Sequence, residues 1–444
     1  MEERIKRLIN EKNYKELRIL INGINATDLA EFLSDLAPKE LAKVFRLIGK
    51  DKAVEVFAEF DITIATELLN NLTDKEAVSL IDEMYADDAT DVLEEMPANI
   101  VDKILKKCSE TTRKDINKLL NYKEDSAGSI MTVEYAELKE NYTIQSAIDV
   151  LKKEKDKYET INTCFVVDKM RKLVGTIQVT DLLFADKDLK INDICSRDIQ
   201  YVFTNTDQEE VANIFQKYDV TIMPVVDSEN RLVGIITIDD VMDVLEEETT
   251  EDMQQMAAII PVDKPYDKTS IFETFKVRVP WLLLLMLSAT FTGKIIQGFE
   301  AQLATYTILT AFMPMLMNTG GNAGGQSSVS VIRALSLNDI EFKDIFKVLG
   351  KEFLVGLLCS IILGVCNFIK MLIIDGVSIQ VATVVCVTLV ITVIIAKCIG
   401  CTLPMLAKKI GFDPAVMASP FITTIVDACS LIIYFNIATI LLGL

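Results

Sequence analysis

The chain is 444 residues long and half hydrophobic, with 45 Lys and Arg, 65 Asp and Glu and no His. That length predicts two or three domains. The absence of His removes the commonest zinc ligand and the usual near-neutral general base, and the net charge of −20 argues against nucleic acid and anionic lipid as partners. The charge is unevenly spread. Residues 276–444 carry 11 basic and 8 acidic side chains, whereas residues 1–275 carry 34 and 57, a net of −23. The first part reads as acidic and soluble, a composition that suits divalent cations, and the second as apolar. The nine cysteines show neither metal-ligand spacing nor a disulfide framework; Cys398 and Cys401 form a CxxC inside an apolar run, where packing is the simpler explanation. The N-terminal MEERIKRL is too charged for a signal peptide.

Residues 1–128 predict an all-helical acidic domain. Apolar positions recur at helical spacing in DLAEFLSDL, ELAKVFRLI, AVEVFAEF, IATELLNNL, EAVSLIDEM, ATDVLEEM and IVDKILKKC. Turn or capping residues separate the blocks, among them Pro38, Asp51, Asp61, Thr73 and Pro97. The period near 12 fits a curled superhelical layer of short helices, and an irregular helical bundle predicts the same core.

Residues 129–248 hold an internal repeat. FVVDKMRKLVGTIQVTDLL (165–183) matches PVVDSENRLVGIITIDDVM (224–242) at an offset of 59. Both copies, 129–192 and 193–248, run helix, strand, turn, strand, helix, so each is α/β. The pattern resembles a tandem pair of CBS (cystathionine β-synthase) modules, which implies a sensor of adenine nucleotides or a controller of a neighbouring domain. The second copy has Thr237 and Asp240 as a T-x-x-D, the arrangement that holds ribose in family members. The first has Gln178 and Asp181 instead. ATP as a regulatory ligand is therefore left open. Residues 249–275 are expected to form a connecting (plug) helix. Eight acids fall between 239 and 252, which reads either as a solvated helical face or as a cluster whose i, i+4 repulsions a divalent ion would relieve.

Five apolar runs follow, at about 280–298, 301–330, 353–374, 379–405 and 416–444, each long enough to span a bilayer. Lys264, Lys268, Lys276 and Arg278 precede the first; Arg333, Lys343, Lys347 and Lys351 lie between the second and third; Lys408 and Lys409 lie between the fourth and fifth. The other loops have no Lys or Arg, so the positive-inside rule places the N-terminus in the cytosol and the C-terminus outside. The second run ends in MPMLMNTGGNAGGQSS. Its glycines read as close helix packing or as bare carbonyls on a cavity, and Asn318, Asn322 and Gln326 favour a pore wall. Pro314 and Pro420 are expected helix breaks. In the fifth run Asp427 is the only acid after residue 416, roughly 16 Å inside a hydrocarbon core of about 30 Å. A carboxylate there costs at least about 2.5 kcal/mol. It is either neutralised at a helix contact or faces a cation path.

An acidic helical domain, a CBS pair, an acidic connecting helix and five spans, with MPMLMNTGGNAGGQ in the second span and DPAV…P…TT…VD in the fifth, resemble the MgtE family of magnesium channels. The resemblance covers almost the whole chain. It implies a homodimer with its pore between the membrane parts, in the plasma membrane and surrounded by lipid. Two copies of Asp427 would then hold a hydrated Mg²⁺, with Asn322 and the carbonyls of Gly321 and Gly324 completing the ring. Regulatory Mg²⁺ ligands carry over onto Asp87, Asp91, Asp219, Asp240, Asp243, Glu248, Glu251 and Asp252. Bound cytosolic Mg²⁺ would offset the charge repulsion and close the pore.

Two readings of other classes stand beside this one. The chain could be a proton- or sodium-coupled carrier of another divalent cation such as Co²⁺ or Mn²⁺, with Asp427 as its proton site. It could also be a nucleotide sensor on an inert anchor. An enzyme is disfavoured, because no nucleophile–base pair stands out, and no GxxxxGK[ST] marks an ATPase.

Overall fold

The computed structural model describes residues 2–94, 96–262, 266, 269–417 and 419–443. Lys264 and Lys268 of the basic segment lie outside the described residues. The chain divides into two compact units, Met1–Leu245 and Glu246–Leu444.

Unit 1 opens with ten short helices: α1 (Glu2–Asn10), α2 (Tyr14–Ile21), α3 (Ala26–Ser34), α4 (Pro38–Phe45), α5 (Lys50–Ala58), α6 (Ile62–Asn71), α7 (Asp74–Ile81), α8 (Ala86–Glu94), α9 (Ala98–Leu105) and α10 (Glu110–Leu119). Asn25, Asp61, Thr73 and Ser109 end the turns between them by accepting a bond from the first free backbone N–H groups of α3, α6, α7 and α10. Asp51 lies inside the first turn of α5, whose cap is Gly49. Helices pack on their next-but-one neighbours: α3 on α5, α4 on α6, α5 on α7, α7 on α9 and α8 on α10. That repeating contact makes the expected layer. One continuous core runs through it, from Ile5 to Ile116, with Phe45, Phe57 and Phe60 at mutual ring distances of 6.3–6.4 Å.

The two repeats fold alike. The first holds β1 (Tyr135–Lys139), α11 (Ile144–Lys153), β2 (Thr160–Val167), β3 (Leu173–Gln178), α12 (Val179–Phe184) and α13 (Ile191–Ile194). The second holds β4 (Val202–Phe203), α14 (Gln208–Tyr218), β5 (Ile222–Val226), β6 (Leu232–Thr237) and α15 (Ile238–Met256). In each three-stranded sheet the outer first strand pairs parallel with the second, and the second pairs antiparallel with the third. Backbone bonds Leu173 N–Asn230 O and Leu232 N–Arg171 O join the copies around Tyr135, Phe165, Val167, Leu232 and Ile235. The segment just before the first copy belongs structurally to the second: Thr132 exchanges both backbone bonds with Ile235, and Ala127 and Met131 enter its core. Ala86 and Leu119 enter the same core, which seats the helical layer on the second copy.

Unit 2 contains α16 (Ile271–Gly298), α17 (Glu300–Thr305), a 3-10 turn at Thr307–Phe312, α18 (Met313–Ser336), α19 (Ile345–Ile373), α20 (Ile379–Lys409) and α21 (Ser419–Leu442). Two expectations change. The connecting helix is not a separate element over 249–275. It is the second half of α15, which stops at Met256 before Ala258 turns left-handed (φ 55°) and Pro261 follows. α16 then starts well before Pro280, on a capping box of Ser270 and Glu273. The run at 301–330 is likewise not one helix: the backbone leaves helical geometry at Tyr306 and α18 begins afresh at Met313, with Pro314 in its tolerated first turn. Among the described residues, four helices are long and apolar enough to cross a membrane, those of α16, α19, α20 and α21. α18 carries amides, glycines and serines, and it packs against both α20 and α21.

Candidate functional site

The first turns of α8 and α15 each point acids at the same spot. Asp87 enters from α8, Asp240 from α15, and Glu159 from the residue before β2; one carboxylate oxygen of each lies within 4.8 Å of the others. Asp87 is 6% exposed, and one of its oxygens, like one of Glu159, has no hydrogen-bond partner. Asp240 accepts bonds from the Thr237 hydroxyl at 2.5 Å and the Thr237 N–H at 3.3 Å. Burial first, then neighbouring carboxylates, push Asp87 well above the usual range, Asp88 and Asp240 to about 6 and Glu159 to about 7. Each close pair of ionised carboxylates repels by about 3 kcal/mol at the effective dielectric of a protein. An oxygen cage of this size, with lone pairs left over, suits a hard divalent cation that keeps some of its waters.

The other expected regulatory residues divide. Asp91 stands one turn beyond Asp87 on the exposed side of α8, and Asp243 one turn beyond Asp240 on α15. Glu248, Glu251 and Asp252 continue along α15, half-buried, in unit 2. Asp219 is elsewhere: it ends α14 in a left-handed conformation (φ 51°) and is exposed. Glu159 and Asp88 were missed, since Glu159 sits alone in YETINTC, where no motif marks it. Thr237 and Asp240, the pair expected for ribose, are bonded to each other.

In unit 2 the glycines of α18 are buried and closely packed. α18 runs unbroken through Gly320–Gly325, so their carbonyls belong to the helical ladder and are not bare. A Cβ on Gly321 would meet the Thr423 methyl at 2.9 Å, and one on Gly324 would meet Ile422 at 2.8 Å and the Ala396 carbonyl at 3.1 Å. On their Cα side Gly321 and Gly324 are thus close-approach positions against α20 and α21. The opposite side of α18 is a polar stripe: Asn318, Asn322, Gln326, Ser330 and Arg333 are all exposed. Asn322 donates to Asn318 Oδ1 at 3.4 Å. Gly320 and Gly321 meet Val426 and Thr423 while Gly324 meets Ile422, so α18 and α21 run antiparallel and Asp427 falls near the level of the Asn318–Asn322 pair. One Asp427 oxygen is buried without a partner.

Three family models match: one described as a divalent cation transporter over residues 313–437, one as the MgtE intracellular N domain over 24–125, and one as a CBS domain over 191–247. The magnesium transporter MgtE of Thermus thermophilus is 40% identical over 331 residues, 74% of this chain and 73% of that one. The chain belongs to the MgtE family. It is a multi-domain membrane protein of magnesium transport, with a helical N-domain, a CBS pair and several membrane helices. The CBS match covers the second copy, and the first copy has the same strand order. Among solved structures, the cytosolic domain of the Mg²⁺ channel MgtE in complex with ATP superposes with a TM-score of 0.53 at 33% identity, covering 55% of this chain and all of that one. The soluble part of a magnesium transporter gives 0.52 at 30% identity, covering 56% and 97%.

Proposed function

We propose that the protein is a homodimeric channel for hydrated Mg²⁺ in the plasma membrane, with its N-terminus cytosolic, closed when cytosolic Mg²⁺ fills the Asp87–Glu159–Asp240 centre. The single observation that carries the path is Asp427, an acid on a membrane helix with an oxygen left unpartnered, at the level of exposed amides on α18. Amides facing lipid would be costly, so the stripe needs a wet passage or a second copy across from it. A two-fold pair of Asp427 side chains would hold the ion through its waters, as Mg²⁺ prefers. The membrane potential then supplies the drive, about 4.6 kcal/mol for a divalent ion per 100 mV.

The route from sensor to path follows one element. α15 carries Asp240 in its first turn and is the helix within which unit 1 gives way to unit 2. At its far end Met256 packs against Ile332 of α18 and Ala415, and Gln254 exchanges bonds with the Val262 backbone. An ion that fixes Asp240 against Asp87 thereby biases a helix touching α18. Such coupling between sites is typically about 1–3 kcal/mol. ATP enters as a regulatory ligand of the CBS pair on the strength of the relative solved with it; a ribose at Thr237 would have to displace its bond to Asp240.

Flux into proteoliposomes tests both halves. Asp427→Ala should abolish Mg²⁺ uptake, and normal uptake would reject the path. Glu159→Gln should leave uptake intact and keep it running at millimolar internal Mg²⁺, where the parent closes; a parent-like shut-off would reject the sensor.

A further inference from the structure

A second buried charged cluster lies in unit 2, and neither the carboxylate centre nor the path uses it. Glu352 comes from α19, Ser327 from α18 and Lys397 from α20. The Ser327 hydroxyl donates to Glu352 Oε2 at 2.5 Å and accepts from Lys397 Nζ at 3.3 Å. The two charges are 3.9 Å apart, so the hydroxyl bridges them more closely than they meet each other. Lys397 and Glu352 are 6% and 14% exposed, and Ser327 is 1%. The apolar group of Val331, Leu335, Cys401 and Met405 flanks the cluster on one side, and the main core of the unit, through Ala323 and Ala396, on the other.

Apolar side chains of similar volume would hold three helices together at least as well, because a buried ion pair barely repays its desolvation. What the polar set adds is direction. Ser327 follows Gln326, about 100° further round the helix; Gln326 is in the exposed stripe and Ser327 faces inward. Turning α18 by one residue would remove Ser327 from both partners and swing Asn318, Asn322 and Gln326 off the face they share. The glycine contacts fix how near α18 comes to α20 and α21, but small residues alone leave rotation loosely determined.

We propose that Glu352, Ser327 and Lys397 are positioning residues for conduction: they set the rotation of α18 and thereby aim its amides at the ion path. The proposal rests on the reading of that stripe as the path. The test uses the full chain in proteoliposomes, with Mg²⁺ and Ca²⁺ flux measured separately and melting followed in detergent. Ser327→Ala keeps the charges balanced and removes only the bridge. It should change the Mg²⁺/Ca²⁺ flux ratio on the order of tenfold, with Ser327→Thr restoring it and the melting temperature little moved. Glu352→Gln/Lys397→Met removes both charges together, so it carries the same expectation if Ser327→Ala does not fold. Parent-like ratios in these variants, with Asn322→Ala altered, would overturn the positioning role alone. Parent-like flux in both Asn322→Ala and Asp427→Ala would overturn the path on which it rests.

Discussion

The carboxylates Asp87, Glu159 and Asp240 gather three like charges and leave oxygens unpartnered, whereas Glu352 and Lys397 set one charge of each sign around a hydroxyl that serves both. On the proposed reading the first set is completed by a cation from outside. The second is complete once the helices have packed. Buried ionisable groups therefore mean different things according to whether their charges cancel: a surplus marks a place for a ligand, and a balance marks a joint. Substitutions at the two sets should accordingly have opposite signs. Removing one partner of a buried pair strands the other, so Glu352→Gln or Lys397→Met alone should destabilise the detergent-solubilised protein by about 3–5 kcal/mol. The double variant should recover most of that in the same thermal melt. Additive losses would mean that the two residues do not form one unit.

A purely steric control comes next in size. A Cβ on Gly400 would run into the Gly324 backbone, which no rotamer change can relieve. Gly400→Ala should cost about 1–3 kcal/mol of stability through overpacking. It should do so whatever the ion or pH, unlike any change at the carboxylate centre.

Asp87→Asn should act in the other direction. At pH 8 without divalent ions it should raise the melting temperature, since burial and the neighbouring carboxylates penalise the charged form of Asp87 and not a neutral amide. It should also abolish the further rise that Mg²⁺ gives the parent protein. The same logic fixes the pH dependence. Asp88, Asp240 and Glu159 hold their protons more tightly in the fold than in the unfolded chain, at about 6, 6 and 7. Ion-free stability is then full below about pH 4 and falls as pH rises through 6 to 7. Mg²⁺ should restore it, with a larger melting shift at pH 8 than at pH 6. An ion-free protein that grows more stable from pH 6 to 8 would contradict the surplus.

The sequence disclosed these features unequally. The CBS repeat was legible because its strands and turns recur at an offset of 59, and the sheets repeat the same order. The helical layer was legible through its capping residues. The carboxylate centre was half legible: Asp87 and Asp240 stand in acidic helix starts, but Glu159 reaches them only by tertiary folding of a strand edge. The close packing of the α18 glycines was not legible, because composition does not say which face of a helix a glycine occupies; neighbouring Thr423 and Ile422 do. Tyr306 and Ala258 hid the true ends of α18 and α15, since neither residue type announces a break. Glu352 and Lys397 were invisible as a pair, being 45 positions apart on different helices.

The smallest effect belongs to a charge pair that is neither buried nor unbalanced. Arg46 grips both oxygens of Glu76 at 2.7 and 3.0 Å on the surface of the helical layer, and Glu76 also closes the capping box with Thr73. Hydrogen bonds from Arg46, and then from Thr73, hold its carboxyl down at about 2. Water screens an exposed pair, so Glu76→Ala should cost no more than about 1 kcal/mol, much of it the lost cap. Here the pH sign reverses. A depressed carboxyl contributes stability above about pH 4.5 and loses it as pH falls through about 2, so Glu76→Ala should flatten the acid limb of the melting profile and leave the fall toward neutral pH untouched. If Glu76→Ala instead altered the limb near neutrality, the assignment of that limb to Asp88, Glu159 and Asp240 would fail, because Glu76 is fully ionised throughout that range.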